Sequence, residues 1–147
     1  MGSITVSIDG VEKTIKRIKD VSALQVKAIQ EAINESCLNI ERNAKRGAPV
    51  DTGRLRSSLR IRFTANTDKA YGQDVFTNVN YASFIEGGTG IYATKGDGRK
   101  TPWVYKGSDG RFYHTRGMKA RPFLVPAFQA EQKNLLSNLR AILSSNT

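Results

Sequence analysis

The sequence predicts an α+β protein, in which an antiparallel sheet has a long N-terminal helix and a C-terminal helix packed on one face and carries an extended loop or hairpin arm. Stretches of period two, typical of half-buried strands, occur near the N-terminus and in the middle of the chain. Two long stretches of helical period flank the middle strands, so that strands and helices are grouped rather than alternating. No repeat or break in composition divides residues 1–147, and we therefore expect a single domain.

The N-terminal part is predicted to form one strand and two helices. Ile4, Val6 and Ile8 alternate with polar residues, which indicates a strand closed by an Asp-Gly turn. Apolar residues then recur at helical spacing within residues 11–21, and a longer helix is expected over residues 22–46, ended by a glycine and a proline. The predicted inner face of this longer helix consists of Leu24, Ala28, Ala32, Cys37, Ile40 and Ala44.

A corner and two strands are expected after the long helix. Asp51 and Thr52 are candidate N-caps of a single helical turn, on which Leu55 and Leu59 share one face. In the strand that follows, Leu59, Ile61 and Phe63 are expected to face the core, and Arg60, Arg62 and Thr64 the solvent. The next strand is predicted over residues 74–81, with Val75, Thr77, Val79 and Tyr81 on one side.

A segment rich in glycine, lysine and arginine, residues 87–121, separates the strands from the last helix. Before it, the stretch YASFIEGGTG predicts a helical stub stopped by Gly87 and Gly88. Within it, TPWVYK and RFYHT flank GSDG, which predicts a hairpin whose arms contain Trp103, Tyr105, Phe112 and Tyr113. Because long loops in compact domains are usually functional, we expect a flexible arm that becomes ordered on a partner. Pro126 suits the first turn of the last helix, whose apolar stripe is Phe128, Leu135, Leu139 and Ile142.

The composition indicates a basic globular protein with an acidic partner. Hydrophobic residues make up 39% and charged residues 24% of the chain, which is typical of globular proteins rather than disordered ones. The net charge of +10 suits a protein that binds nucleic acid or an acidic protein surface. No apolar run is long enough for a membrane helix, so no membrane partner is expected. The single cysteine suits a reducing compartment such as a cytoplasm.

Candidate catalytic residues are few, and we expect no enzyme activity, no cofactor and no small-molecule substrate. Cys37 is expected on the buried face of the long helix, where cysteine usually behaves as a small hydrophobe. His114 is the only histidine, so one chain cannot supply an ordinary zinc site. The sequence GTGIYA over residues 88–93 fits a dinucleotide fingerprint formally, but no helix can follow it directly. Asp51 is better explained as a cap, and Glu86 has no second carboxylate near it in the sequence.

Two groups of basic residues are the candidate contacts for a partner or for DNA, because basic residues interleaved with aromatic ones suit nucleic acid. The alternative is that the arginines of the first group keep an exposed strand edge from pairing, and the aromatic residues of the second group anchor another protein. The candidate residues are Arg54, Arg56, Arg60 and Arg62 at the corner, and Lys95, Arg99, Lys100, Trp103, Tyr105, Arg111, Arg116, Lys119 and Arg121 in the arm.

Three blocks in fixed order give the chain a likeness to a known family. APVDTGRLRSSLR, YASFIEGGTG and RPFLVPAF together resemble the tail-component family of tailed bacteriophages, while residues 91–119 match nothing in that family's pattern. The shared pattern maps onto Pro49, Thr52, Gly53, Leu55 and Ser58 in the first block, which also holds Asp51; onto Tyr81, Ala82, Glu86, Gly88, Thr89 and Gly90 in the second; and onto Pro122, Phe123, Leu124, Pro126 and Ala127 in the third.

The resemblance implies a structural virion protein of the phage neck. It implies a head–tail joining, tail-completion or tail-terminator subunit, in a ring between the capsid connector and the tail tube. In long-tailed phages such rings are usually hexameric, so a homo-hexamer is expected, with other neck and tail proteins as partners and DNA in the channel as a further candidate. The resemblance also implies assembly in the host cytoplasm and a final place at the head-proximal end of the tail. The alternative function is that of a basic nucleic-acid-binding protein.

Overall fold

The computed structural model describes the backbone of residues 4–7 and both backbone and side chains of residues 22–67 and 70–145. The predicted strand residue Ile8 and the predicted helix within residues 11–21 lie outside the described residues. The elements are β1 (Ile4–Ser7), α1 (Ala23–Gly47), α2 (Arg54–Ser58), β2 (Arg60–Thr67), β3 (Ala70–Thr77), α3 (Ala82–Gly87), a 3-10 turn (Gly90–Tyr92), β4 (Trp103–Lys106), β5 (Phe112–Thr115) and α4 (Leu124–Ser144).

Helix α1 begins and ends as the sequence predicts. Ser22 is the N-cap: its hydroxyl accepts the Gln25 amide N–H at 3.3 Å, and the Gln25 side chain accepts the Ser22 N–H at 3.0 Å. At the other end the Ala48 N–H donates to the Ala44 carbonyl at 2.8 Å, before Pro49 prevents continuation. The buried residues of α1 are Gln25, Ile29, Ala32, Ile33, Ser36, Cys37, Ile40 and Ala44.

The predicted inner face of α1 is wrong at its first residue. Leu24 is 82% exposed, whereas Ile29 and Ile33, which the prediction left out, are buried. At 3.6 residues per turn, Leu24 lies about 140° around the helix from Ile29, so both cannot face the same core. The other predicted inner positions are buried, except Ala28, which is half-buried.

The antiparallel sheet has the order β1–β3–β2, with helices on one face, and confirms the α+β prediction. Val75 in the central strand pairs with Val6 on one side and with Ile61 on the other. Helix α1 packs on the sheet and α4 packs mainly on α1. Glu131 of α4 is buried in this contact, where its carboxylate accepts hydrogen bonds from Ser36 Oγ at 3.1 Å and Asn39 Nδ2 at 3.3 Å.

Two strand predictions need correction. The strand predicted over residues 74–81 is β3, which begins at Ala70 and ends at Thr77. Tyr81 therefore does not belong to it and lies exposed before α3. The Phe63 side chain is 56% exposed, whereas the sequence predicted that it would be buried in the core. A bulge interrupts the β2–β3 register between Phe63 and Ala65, and the Phe63 ring lies edge-on against the Tyr71 ring, with centroids 5.8 Å apart. Phe63 forms the last regular pair before this bulge on an edge strand, where the alternation of the sequence does not ensure burial.

Candidate interaction surface

The corner between α1 and β2 contains a glycine, Gly53, whose left-handed backbone favours this residue type. Gly53 is the N-cap of α2 and has φ of +79°, while a Cβ at this position would meet nothing within 4 Å. The backbone angle and not a lack of space therefore favours glycine. The predicted N-cap role of Asp51 and Thr52 is wrong, because both precede the cap. The Thr52 hydroxyl accepts the N–H of Arg54, the first residue of α2, at 3.4 Å, but the N-cap position itself is occupied by Gly53.

Leu55 and Ser58 connect this corner to the sheet. Leu55 and Leu59 are buried, as predicted. The Ser58 hydroxyl donates to the Leu55 carbonyl at 2.7 Å and lies 2.6 Å from the hydroxyl of Thr77, the last residue of β3. The Thr77 hydroxyl in turn accepts the Val79 N–H at 3.2 Å. A short hydrogen-bonded chain therefore fixes α2 against the end of the central strand.

Glu86 joins the second and third sequence blocks. Its carboxylate accepts the backbone N–H groups of Phe123, Leu124 and Val125 at 2.9, 3.0 and 2.9 Å. These residues begin α4, where N–H groups lack helical partners and where a negative charge is favoured. The following helical residue is Pro126, which has no N–H to satisfy. The start of α4 is thus capped by a side chain from a different helix.

The base of the arm depends on close contact between two glycine-containing segments. The Thr89 N–H donates to the Met118 carbonyl at 2.9 Å, and the Thr89 hydroxyl accepts the Met118 N–H at 2.9 Å. Gly90 has φ of +61°, and a Cβ there would overlap the Arg116 carbonyl oxygen. Gly117 is equally close to Thr89. These contacts explain the glycines at positions 90 and 117, where a side chain would separate the two segments.

The arm ends in the predicted hairpin, β4–β5, which confirms that element. Its register pairs Tyr105 with Tyr113, and their rings stack with centroids 5.7 Å apart. The Asp109 carboxylate in the turn accepts the Tyr113 hydroxyl at 2.7 Å and the Arg111 N–H at 3.1 Å. These hydrogen bonds lower the pKa of Asp109 and raise that of Tyr113. Phe112 is 73% exposed, so the hairpin is stabilised mainly by contacts within itself.

The candidate basic residues differ in whether their side chains already contact other groups within the chain. Arg60 donates to the carbonyls of Ser57 and Leu59 at the end of α2. Arg62 binds the buried Asp74 carboxylate at 3.2 Å and lies 4.6 Å above the Phe76 ring. The other candidates, together with Tyr105, are exposed, and Trp103 is half-buried; they are Arg54, Arg56, Lys95, Arg99, Lys100, Arg111, Arg116, Lys119 and Arg121.

Two open grooves share Phe84 as a lining residue, which was not among the residues selected from the sequence. The first, here called the corner groove, has a volume of about 680 Å³ and is lined by residues 49–55 together with Tyr81, Phe84, Ile85, Met118 and Arg121. The second, the arm groove, has a volume of about 560 Å³; Phe84, Lys95, Arg99 and Trp103 are among its lining residues. Phe84 and Val50 are each 56% exposed. Apolar side chains thus lie open to solvent beside the motif residues.

The described residues offer a binding surface rather than a set of proton-exchanging groups. Burial raises the pKa of the Cys37 thiol to about 12, with a further contribution from the charge of Asp74, so the thiolate is disfavoured. His114 is exposed on the hairpin. No group of three His, Cys, Asp or Glu side chains suited to a metal occurs in the described part of the chain. In that same part, no helix has the length and apolar character of a membrane span.

The described residues thus form an α+β fold with an exposed apolar groove and an exposed basic hairpin. Comparison with known protein families identifies the family to which the chain belongs. Residues 12–88, more than half of the chain, match the family described as "Bacteriophage HK97-gp10, putative tail-component", and the chain belongs to this family. The family is one of structural phage tail components, which places the protein in the virion. Curated proteins and solved structures gave no significant match.

Proposed function

We propose that the protein is a head–tail joining subunit, a tail-completion or tail-terminator protein, in a ring between the capsid connector and the tail tube of a long-tailed phage. Family membership supports a structural role in the tail. We propose in addition that the protein forms a ring, that this ring is a hexamer, and that it lies in the neck. The chain acts in it as one unit over residues 1–147, built in the host cytoplasm and retained at the head-proximal end of the tail.

The observation that carries the proposal is the exposed apolar surface around Phe84. Val50, Tyr81, Phe84 and Met118 are each at least 38% exposed, and all four line the corner groove. Contiguous apolar side chains at a protein surface usually mark an interface with another protein. The motif residues Pro49, Thr52, Gly53 and Leu55 line the same groove, which supports a role in contacts common to the family.

The arm supplies the second surface that a ring requires. Ring subunits associate through heterologous interfaces, in which one surface of each subunit meets a different surface of the next. The hairpin exposes Val104 and Phe112, and a two-stranded hairpin is marginally stable without further packing. We therefore assign residues 87–121 as the arm that contacts an adjacent subunit or connector protein, while the corner groove receives an apolar segment.

A phage that lacks this gene, supplied with variants in trans, tests the proposal. Phe84→Asp introduces a charge into the proposed interface without removing a buried side chain. Leu38→Asp on α1 is the matched control, because Leu38 is 45% exposed and lies on a different element. The Phe84 variant is expected to leave DNA-filled heads and separate tails in electron micrographs, whereas the Leu38 variant restores infectious particles.

Two results would contradict the proposal. The first is normal joining of heads to tails by the Phe84 variant while it remains folded by circular dichroism. The second is absence of the wild-type protein from purified virions. The mass of the complex released from purified necks checks the hexameric state separately.

A further inference from the structure

The arm carries more than half of the chain's excess positive charge. Residues 87–121 contain eight lysines and arginines and two aspartates, in a chain whose net charge is +10. Nearly all of these cations are on residues exposed to solvent. A segment with this balance attracts an anionic partner over a distance of about 10 Å at moderate salt.

The chain itself does little to neutralise these cations. Among the described residues, the arm has one ion pair, between Arg111 and Asp109 at 4.0 Å, and both side chains are open to solvent. The side chains of Lys95, Arg116 and Arg121 make no hydrogen bond or ion pair with described residues. Their charge is therefore available to a ligand.

Local contacts orient two of the cations without cancelling their charge. The guanidinium carbon of Arg99 lies 5.6 Å from the centre of the Trp103 ring, and its Nε donates to the Thr101 hydroxyl at 3.1 Å. Lys119 Nζ lies 5.9 Å from the centre of the Tyr92 ring. An arginine positioned over an aromatic ring can present its terminal amino groups to a phosphate at a reduced cost in side-chain entropy.

Among the described residues, few carboxylates are free to neutralise the cations of the arm, so the contact with an adjacent subunit proposed above would use the exposed apolar residues of the hairpin, Val104 and Phe112. Most carboxylates in the described residues already have partners, and those that remain, on Glu35, Asp51 and Asp97, are isolated. Asp97 itself lines the arm groove beside Lys95 and Arg99. The engaged carboxylates are Glu31 with Lys27, Glu41 with Lys45, Asp74 with Arg62, Glu86 with the start of α4, Asp109 with Tyr113 and Glu131 with Ser36.

We propose that the arm binds the phosphate backbone of duplex DNA through Lys95, Arg99 and Lys119, without reading its sequence. Independent cations spread over a surface suit successive phosphates. Single strands would instead stack their bases on aromatic rings. Here three aromatic rings of the arm already have a partner within the chain, Arg99 on Trp103, Lys119 on Tyr92 and Tyr113 on Tyr105, which leaves Phe112 as the most exposed ring of the arm. The inference rests on the proposed neck function, in which the genome passes through the ring.

Fluorescence anisotropy of a labelled 30-base-pair duplex with the full-length protein, over a series of salt concentrations, tests the inference. The triple variant Lys95→Ala, Arg99→Ala, Lys119→Ala is compared with a control of equal net charge, Arg42→Ala, Arg46→Ala, Lys133→Ala. The control residues are exposed and lie on α1 and α4. Thermal melting verifies that both variants are folded.

Wild-type protein is expected to bind with an affinity that falls steeply as salt rises. Because each phosphate contact contributes about 0.9 to the slope of log affinity against log salt, the arm variant should lose about 2 to 3 from that slope, with at least about tenfold weaker binding. The control should retain most of both.

Four results would overturn the inference. The first two are equal losses in the two variants and no binding of the wild-type protein at low salt. The others are tighter binding of a single strand of the same length, and displacement of the duplex by poly-glutamate as efficiently as by unlabelled duplex. The last result would indicate an acidic protein as the partner. None of them bears on the neck function, which is tested in particles by the Phe84 variant.

Discussion

Two hydrogen-bonded carboxylates show how differently the body and the arm are built. Glu86 accepts three backbone N–H groups from residues 37 to 39 positions further along the chain, and so connects α3 to the start of α4. Asp109 accepts its hydrogen bonds from Arg111 and Tyr113, two and four positions away. The first contact joins distant segments, whereas the second organises only its own turn.

The contacts of Glu86 stabilise the fold, whereas those of Asp109 leave the surface of the hairpin exposed. Around Glu86, Phe123 and Leu124 are buried, so the cap and the core support each other. Around Asp109 the hairpin is exposed, and it contacts itself more than the body. We therefore expect that the hairpin can rearrange on a partner at a smaller cost than the body.

The largest effect is expected from removal of the Glu86 cap. Glu86→Ala leaves three N–H groups at a partly buried helix start without their acceptor, and we expect a loss of about 2 kcal/mol in the free energy of unfolding. Urea denaturation followed by circular dichroism measures it. Glu35→Ala, at an exposed position on α1, is the control and should change stability by less than about 0.5 kcal/mol. Equal stability of the two variants would show that the cap is dispensable.

Much of the fold was predictable because its determinants are local in sequence. The start of α1 at Ser22 depends on a side chain three residues away, and the β4–β5 hairpin depends on a glycine-rich turn between two short strands. Leu55 and Leu59 were correctly placed in the core for the same reason. The errors at Leu24 and Phe63 arose in the first turn of a helix and beside a bulge on an edge strand, where short periodic patterns do not specify burial.

The candidate surface was only partly predictable, because it forms between segments far apart in the chain. The sequence singled out Glu86 and Gly90 through a family resemblance, but gave no physical role for either. Their roles depend on Phe123 and Arg116, each more than twenty residues away. Phe84 was not selected at all, because exposure of an apolar residue in a short helix cannot be read from neighbouring residues.

A smaller and more local effect is expected at the arm base. Gly90→Ala places a Cβ against the Arg116 carbonyl oxygen and requires an unfavourable φ, so the two segments must separate. Gly96→Ala is the matched control, since Gly96 also has a positive φ but open space around it, and its cost should stay near 1 kcal/mol. Hydrogen exchange of the Thr89 and Ile91 amides measures the difference, because both donate across the base. Similar protection of these amides in both variants would mean that the close contact does not hold the arm.

The smallest effect, and the sharpest check on the isolation of the hairpin, is a shift in the titration of Asp109. Hydrogen bonds from the Tyr113 hydroxyl and the Arg111 amide lower its pKa below the ordinary value of 3.8, and the same contact raises the pKa of Tyr113 above 10.0. Stabilisation by Asp109 is therefore complete above about pH 4 and lost as the pH falls through the lowered pKa, while the Tyr113 side of the bond is lost above about pH 10. Carboxyl carbon chemical shifts measured by NMR against pH follow Asp109 directly, and Tyr113→Phe should return its pKa toward the ordinary value. Since the contact lies within one turn, the same substitution should leave the melting temperature of the body unchanged. A fall in the melting temperature together with the pKa change would show that the hairpin and the body are coupled. It would contradict the independence of the hairpin that we inferred from the contacts of Glu86 and Asp109.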